Sequence, residues 1–487
     1  MHDALGQAWV LAGILVEAFA LSLIPLVVLR RKEPSSTAAW ILALVFLPGA
    51  GALLFLMFGR DRLRLPMQKK RATERALAET THAARGPLSA DAREAALARL
   101  ESPVERGLFR VGAALSGAEA RPGNAATLLV DGDATYRALG DAIDAAEHHV
   151  FAEYYLVRRG ATADWFRETL ARAAKRGVEV KLLVDGYGSF WLGRRWLAPL
   201  REAGVEVAVF LPARLLLLQP MNLRNHRKIV VVDGDVAFTG GINVGDEYRG
   251  HERPWRDAHL ALRGPAVEPL SRIFEQDWHF ATGRTIAHKP HVGHAVPQEE
   301  RGHAVVAVVR SGPDLDGAER ETIYKLFFTA ITSARERVHA TTGYFLPDRA
   351  MVVALQTAAL RGVDVRLLFP GRSNHPFVFQ AGRSFYEELL ESGVRIFEYG
   401  PGMIHAKTMV IDGSIALVGS ANMDVRSFRL NFEVHAVVRD LAVAEELERI
   451  FEGDLALSRE ITLAEFRARS VAHKVVEGAA RLLSPLM

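Results

Sequence analysis

The chain has 487 residues, a formal net charge of +3 and no cysteine. Disulfides, thiolate metal sites and a cysteine nucleophile are therefore excluded, and so small a basic excess gives no argument for nucleic acid as a partner. The length is enough for two core-forming domains with additional segments.

Residues 8–29 form an apolar run interrupted by Glu17 and Pro25, and residues 38–58 form another carrying Pro48 and Gly49. Roughly 20 helical residues cross a bilayer core, so the two runs predict a two-helix transmembrane hairpin over residues 1–60. The polar link Arg30-Arg31-Lys32-Glu33-Pro34-Ser35 joins them. A secretory signal fits poorly, because no basic region precedes Ala8 and the run is too long. A hairpin puts Met1 and the downstream chain on one side. Arg60, Arg62, Arg64, Lys69, Lys70 and Arg71 on that side favour a cytoplasmic body, against the Arg-Arg-Lys of the link. The same basic run attracts anionic headgroups.

Residues 61–124 read as a helical connector rich in Ala, Arg and Glu, ending at Pro122-Gly123-Asn124. The first globular half, 125–285, opens with a strand at 127–130, an Asp-Gly turn and a helix near 136–146. A strand at 150–157, a helix at 164–175 closed by Gly177 and a strand at 178–184 follow. A His- and Pro-rich linker, 282–301, leads to the second half, 302–487. There a strand at 337–345, a helix at 350–360 closed by Gly362 and a strand at 363–369 repeat the order. Arg176-Gly177-Val178-Glu179-Val180-Lys181-Leu182-Leu183 answers Arg361-Gly362-Val363-Asp364-Val365-Arg366-Leu367-Leu368, and Ala203-Gly204-Val205 answers Ser392-Gly393-Val394. Alternating strands and helices of this kind predict α/β layers, duplicated.

The chemistry sits in two matching passages. His226-Arg227-Lys228 is followed by four apolar residues and Asp233-Gly234, and His405-Ala406-Lys407 by a similar run and Asp412-Gly413. An Asn follows each Asp by ten positions, at Asn243 and Asn422. A His and a Lys two apart in an extended strand share a face. Residues 229–232 and 408–411 are β-rich, and Asp-Gly reads as a hairpin turn. Each copy thus offers an imidazole, an ammonium and an amide. Two copies suit reaction at a phosphate: one His attacks phosphorus, the other protonates the leaving oxygen, and the lysines hold the anionic oxygens. Because lysine supplies the charge, neither a metal nor another cofactor is expected.

The doubled HxKxxxxD pattern, with Gly419-Ser420-Ala421-Asn422 downstream, resembles the phospholipase D superfamily. That resemblance implies two α/β/α lobes in a pseudo-twofold arrangement, with one active site between them. It assigns His226 to attack and His405 to acid–base work, although the symmetry of the two copies does not itself separate them. It also implies an acidic partner downstream of each His, and Asp257 and Glu433 stand at matching places. Asp233 and Asp412 complete the candidate set, as residues that stabilise the turns rather than touch substrate.

A finer resemblance, to bacterial cardiolipin synthases, is carried by several passages. They include Leu223-Arg224-Asn225-His226-Arg227-Lys228, Gly240-Gly241-Ile242-Asn243, Asp246-Glu247-Tyr248, Trp255-Arg256-Asp257, Tyr344-Phe345-Leu346-Pro347-Asp348 and Asp424-Val425-Arg426-Ser427-Phe428. It implies transfer of a phosphatidyl group from one phosphatidylglycerol to another through a phospho-histidine, with release of glycerol. It further implies a multi-pass protein of the bacterial inner membrane that works on anionic lipid and not on nucleic acid, with homo-oligomerisation left open. Gly241 departs from Ser420 of the second copy and removes one phosphate donor. Residues 211–221 and 471–487 are apolar stretches that either dip into the membrane interface or form a core strand and a core helix. The competing readings are a membrane phospholipase D, a transferase with another alcohol acceptor, a non-catalytic lipid scaffold and a tethered nuclease.

Overall fold

The computed structural model describes residues 2–29, 34–56, 70, 90–212, 223–249, 254–286, 302–315 and 319–483. At the N-terminus, α1 (His2–Ser22) and α2 (Ile24–Val28) contain Trp9–Val28, a stretch long and apolar enough to cross a membrane. The second run forms α3 (Pro34–Phe46) and α4 (Pro48–Leu54) rather than one unbroken helix. Proline lacks an N–H and disfavours helical backbone in the residue before it, and Leu47 is accordingly non-helical, with φ −133° and ψ 58°. Ala20, Leu23, Val27, Leu44, Ala52 and Phe55 are buried together. The two arms therefore pack on each other, with Trp40 edge-on to Phe55 at 5.4 Å. The basic flank at 60–69 lies outside the described residues.

The body carries two sets of strands. The first lobe contributes β1 (Arg121–Val130), β2 (His149–Tyr154), β3 (Glu179–Asp185), β4 (Glu206–Phe210), β5 (Arg224–Asn225), β6 (Lys228–Val232), β7 (Val236–Gly240) and β8 (Ala258–Arg263). The second contributes β9 (Ala304–Ser311), β10 (Arg337–Thr341), β11 (Phe345–Leu346), β12 (Asp364–Pro370), β13 (Arg395–Tyr399), β14 (Thr408–Ile411), β15 (Ile415–Gly419), β16 (Met423–Asp424), β17 (Asn431–Arg439) and β18 (Ser458–Ile461). In the first lobe the strands lie in the order β1-β8-β7-β6-β2-β3-β4. In the second, β9-β17-β15-β14-β10-β12-β13 repeats it, with β18 added at the edge. The two runs join where β1 meets β9 antiparallel, so the duplication read in the sequence is also a duplication of topology.

Each lobe is an α/β/α sandwich. The helices Asp131–Asp144, Ala161–Lys175 and Gly193–Glu202 pack Tyr136, Leu139, Phe166 and Leu200 against one sheet face. On the other face, Phe274 of Val267–Thr282 stacks on Phe151 at 5.1 Å. In the second lobe Phe451, from the helix Leu441–Ala456, packs with Leu368 and Phe397. The connector forms the helices Ala90–Ala98 and Pro103–Ser116, the latter begun by a Ser102–Glu105 capping box. Its Leu108 and Phe109 join the second lobe's core.

Local departures from the expected elements have identifiable causes. The strand expected at 150–157 ends at Tyr154, and Val157 forms only an isolated bridge to Val244. The strand expected at 337–345 splits, because β11 leaves the sheet to pair with β16. The expected Asp-Gly turn and following helix merge into one helix that starts at Asp131, whose φ is 66°. Most of the linker, 287–301, and the apolar stretch from residue 213 to 222 lie outside the described residues.

Candidate active site

The two HxK passages enter β6 and β14 from corresponding positions. Strand alternation turns Arg227 away from its neighbours. It is fully buried, paired with Asp277, and its guanidinium lies 5.6 Å from the Phe432 ring centre. At the far end of each strand, Asp233 and Asp412 adopt φ of 53° and 49°, ahead of Gly234 and Gly413 at 73° and 66°. Left-handed pairs of this kind make the tight turn of a hairpin. The Asp233 carboxylate accepts the backbone N–H groups of Glu147, His148 and His149 at 2.7–2.8 Å. Asp412 accepts those of Arg335, Glu336 and Arg337. Both are thus engaged at the turn end of their strands, and neither carboxylate joins the imidazoles.

The lobes interlock at the other end. His226 N–H donates to the Phe432 carbonyl at 2.9 Å, and His405 N–H to the Arg256 carbonyl at 2.7 Å. Strand β5 pairs with β17 across the lobe boundary, Asn225 opposite Phe432. Consequently each imidazole takes its partner from the opposite repeat. His226 Nδ1 lies 3.1 Å from Glu433 Oε2 and 3.0 Å from the Ser420 carbonyl. His405 Nδ1 lies 2.8 Å from Asp257 Oδ2 and 3.2 Å from the Tyr248 hydroxyl. Carbonyl and carboxylate oxygens only accept, so each Nδ1 carries the proton and each Nε2 keeps its lone pair. The acids thus pair across the lobes, which their positions along the chain did not indicate.

Lys228 Nζ donates to the His226 carbonyl at 2.6 Å, and Lys407 Nζ to that of His405. All four side chains are buried and feel one another's charge. Burial first, and then the Lys407 ammonium, pushes Lys228 down to about 7 against the pull of Glu433. Burial lowers Lys407 to about 8. Burial and Lys407 hold His405 at about 3, and His226 is lowered mainly by burial. Burial works to raise Glu433, but His226 and Lys228 outweigh it and hold the carboxyl at about 2. Lys407 and His405 likewise keep Asp257 below its usual range despite its burial. The free site therefore pairs neutral imidazoles with ionised carboxylates, and its lysines titrate near neutrality.

Asn243 donates to the Tyr248 hydroxyl at 3.2 Å and accepts the Leu156 N–H. Asn422 Oδ1 is buried with no hydrogen-bond partner among the described residues. Ser420 corrects the expectation that it serves as a phosphate donor. Its hydroxyl donates to Glu433 at 2.5 Å and accepts the Val434 N–H at 3.0 Å. At Gly241 any Cβ would overlap the Asp257 carboxylate. Ser420 with Glu433 and Gly241 with Asp257 are thus two solutions to the same positioning task. Sequence reasoning assigned no role to Tyr248, or to Tyr155, whose ring lies 4.9 Å from that of His226. Trp255 stands 5.3 Å from the His405 ring. An isolated aromatic carries no spacing signal, although Tyr248 and Trp255 both fall in passages that support the finer resemblance.

Two interlocked repeats with paired, tautomer-locked imidazoles and two lysines define a site of the phosphoryl-transfer class. A family model described as the PLD-like domain of cardiolipin synthase matches residues 139–278 and 327–455, and one described as the phospholipase D-nuclease N-terminal segment matches residues 20–60. A cardiolipin synthase of Alkalihalophilus pseudofirmus is 38% identical over 99% of this chain and 95% of that protein. One from Geobacillus kaustophilus is 36% identical over the same shares. In fold alone, the body resembles the phosphatidylserine synthase of Haemophilus influenzae, with a TM-score of 0.59, 13% identity and coverage of 78% of this chain and 98% of that one. The chain belongs to the cardiolipin synthase family of phospholipase D-like proteins.

Proposed function

We infer that this chain is a membrane-associated phosphatidyltransferase that joins two phosphatidylglycerols into cardiolipin and releases glycerol. The observation that carries the reading is the pair of buried imidazoles, each fixed by the other lobe's carboxylate, beside two lysines whose charges reach both rings. In the first step His226 Nε2 attacks the phosphorus of one phosphatidylglycerol. The P–O bond to glycerol breaks, and His405 supplies the proton that the departing oxygen takes. Lys228, Lys407 and the amides of Asn243 and Asn422 hold the nonbridging oxygens as charge builds on phosphorus. In the second step the primary hydroxyl of another phosphatidylglycerol passes its proton to His405 and attacks the phosphatidyl-His226. The P–N bond breaks and cardiolipin leaves. One phosphodiester is exchanged for another, so no nucleotide is consumed.

The anion explains how His405 acquires a proton that the free site withholds. A bound phosphodiester offsets the lysine charges, which raises the imidazole toward neutrality. Access from lipid is supported by the exposed Phe190 and Trp191 in the first lobe, and by Val471, Val475 and Leu482 on the helix Val471–Leu483. The N-terminal helices anchor the chain with two passes, leaving the body cytoplasmic. Incubating the purified full-length chain with phosphatidylglycerol vesicles tests the reaction: cardiolipin and glycerol are expected, and phosphatidic acid as the product would overturn the reading in favour of a phospholipase D.

A further inference from the structure

The reaction inferred above takes both of its lipids from a bilayer, and neither the imidazoles nor the lysines explain what seats the site on one. Two loops outside the catalytic set bear on this. One follows β3, and the other follows β12, the strand that holds the same place in the second lobe's order. Each leads into a helix, Gly193–Glu202 in the first lobe and Pro376–Arg383 in the second.

The first loop is fixed at its base and apolar at its tip. Asp185 accepts the N–H groups of Tyr187 and Gly188 at 2.9 Å, and that of Asn225, the residue before His226, at the same distance. The Ser189 hydroxyl donates to the Tyr155 carbonyl and accepts the Val157 N–H, both at 3.0 Å. Leu192 and Trp196 are buried, and Arg159 Nε donates to the Leu192 carbonyl at 3.1 Å. Among these anchors Tyr187 is 49% exposed, Phe190 57% and Trp191 80%. A loop tied at so many points holds its aromatic rings in water by construction. Arg194 and Arg195 beside them are exposed and make no ion pair among the described residues.

The second loop repeats these features in a different sequence. Phe377 is 67% exposed, and Arg372 is exposed and likewise without an ion pair among the described residues. Asn374 accepts the Tyr344 hydroxyl at 2.7 Å, and the Tyr344 ring lies 5.9 Å from that of His405, much as Tyr155 stands beside His226. Ser373 and Val378 share an apolar groove with Tyr344, Phe345 and Phe369. No Asp or Glu occurs between Asp185 and Glu202, or between Asp364 and Glu387. Exposed aromatic rings with cations and no acid match the interface of an anionic bilayer, where rings sit at headgroup level and guanidinium groups meet lipid phosphates. Both lobes carry the combination next to a reacting ring, which a chance patch on one surface does not explain.

We propose that the loops at 186–195 and 371–377, one beside each histidine, are the surface through which the catalytic body docks on an anionic lipid bilayer. The proposal rests on the transferase reading above and names the partner of that site. Because the chain has no cysteine, Trp191→Cys and Phe377→Cys each give a single attachment point for a nitroxide. In the full chain, reconstituted in vesicles of phosphatidylglycerol and phosphatidylcholine, oxygen should relax both labels more than a water-soluble nickel complex does. Activity gives a second readout: cardiolipin formed from bilayer phosphatidylglycerol, divided by that formed from a short-chain phosphatidylglycerol dispersed as monomers. This ratio should fall about tenfold or more when Phe190→Ser and Trp191→Ser are combined, and severalfold for Arg194→Gln with Arg195→Gln. Labels that prefer the nickel complex, an unchanged ratio, or a parallel fall of both rates would overturn the dock. Dipolar broadening between labels on two copies would overturn it in favour of a contact between chains. Label depth is read without turnover, so a wild-type chain that makes phosphatidic acid would overturn the transferase reading separately.

Discussion

The two lobes share one strand order yet reach their half-sites differently. In the first, the residue between His and Lys is Arg227, whose buried charge is met by Asp277, itself paired with Lys70 at 3.0 Å. In the second it is Ala406, packed apolar. The first lobe supplies a short acid, Asp257, against a bare Gly241, and the second a longer acid, Glu433, steadied by Ser420. What both preserve is a carboxylate at the opposite lobe's Nδ1. Duplication has kept the geometry of the reacting groups and left their supports free to diverge.

Removing the rings breaks the comparison most severely. His226→Ala and His405→Ala are each expected to lower cardiolipin formation by about a thousandfold or more. They differ in which ring carries the intermediate. In wild-type chain quenched during turnover, intact-protein mass and peptide mapping should find the phosphatidyl adduct on the His226 peptide, and no adduct should form in the His226 variant. An adduct mapped to His405 would reverse the two roles.

The acids come next. Asp257→Asn and Glu433→Gln should each lower kcat by roughly a hundredfold or more with a much smaller change in KM, because the imidazole loses the acceptor that fixes its tautomer. The crossed pairing gives a sharper readout. In ¹⁵N spectra of labelled histidines, Glu433→Gln should perturb His226 and Asp257→Asn should perturb His405. Perturbation of the same-lobe ring would break the assignment.

A smaller asymmetry is expected at the supports. Gly241→Ala forces a Cβ into the Asp257 carboxylate, whereas Ser420→Ala loses one hydrogen bond, a change worth about 1–3 kcal/mol when a buried charged acceptor is involved. Activity should therefore fall further for Gly241→Ala. The mildest effect concerns pH. An ammonium is charged below its pKa, and the free-enzyme lysines lie at about 7 and about 8. Affinity for the anionic lipid is thus fullest below pH 7 and declines through pH 7–8, so kcat/KM should fall on the alkaline side while kcat at saturation moves less.

The site's chemical groups were legible because strand geometry has a period of two and a hairpin turn has a fixed sequence cost. His-x-Lys followed by Asp-Gly states both at once. The repeat was legible through Arg176-Gly177-Val178 and Arg361-Gly362-Val363, which mark a helix end and the strand after it in each lobe. The crossing of Asp257 and Glu433 was not. Separation along a chain says nothing about which of two similar lobes a side chain faces, and that choice is made by β5 pairing with β17. The break at Leu47 followed from Pro48, which the apolar run as a whole obscured.

The exchange of carboxylates has a mechanical corollary. Should the lobes drift apart, both rings would lose their tautomer lock in the same motion, leaving no half able to work alone. Closure of the lobes would then act as a single interlock, under which a phosphatidyl group cannot be loaded unless the machinery for its discharge is already assembled.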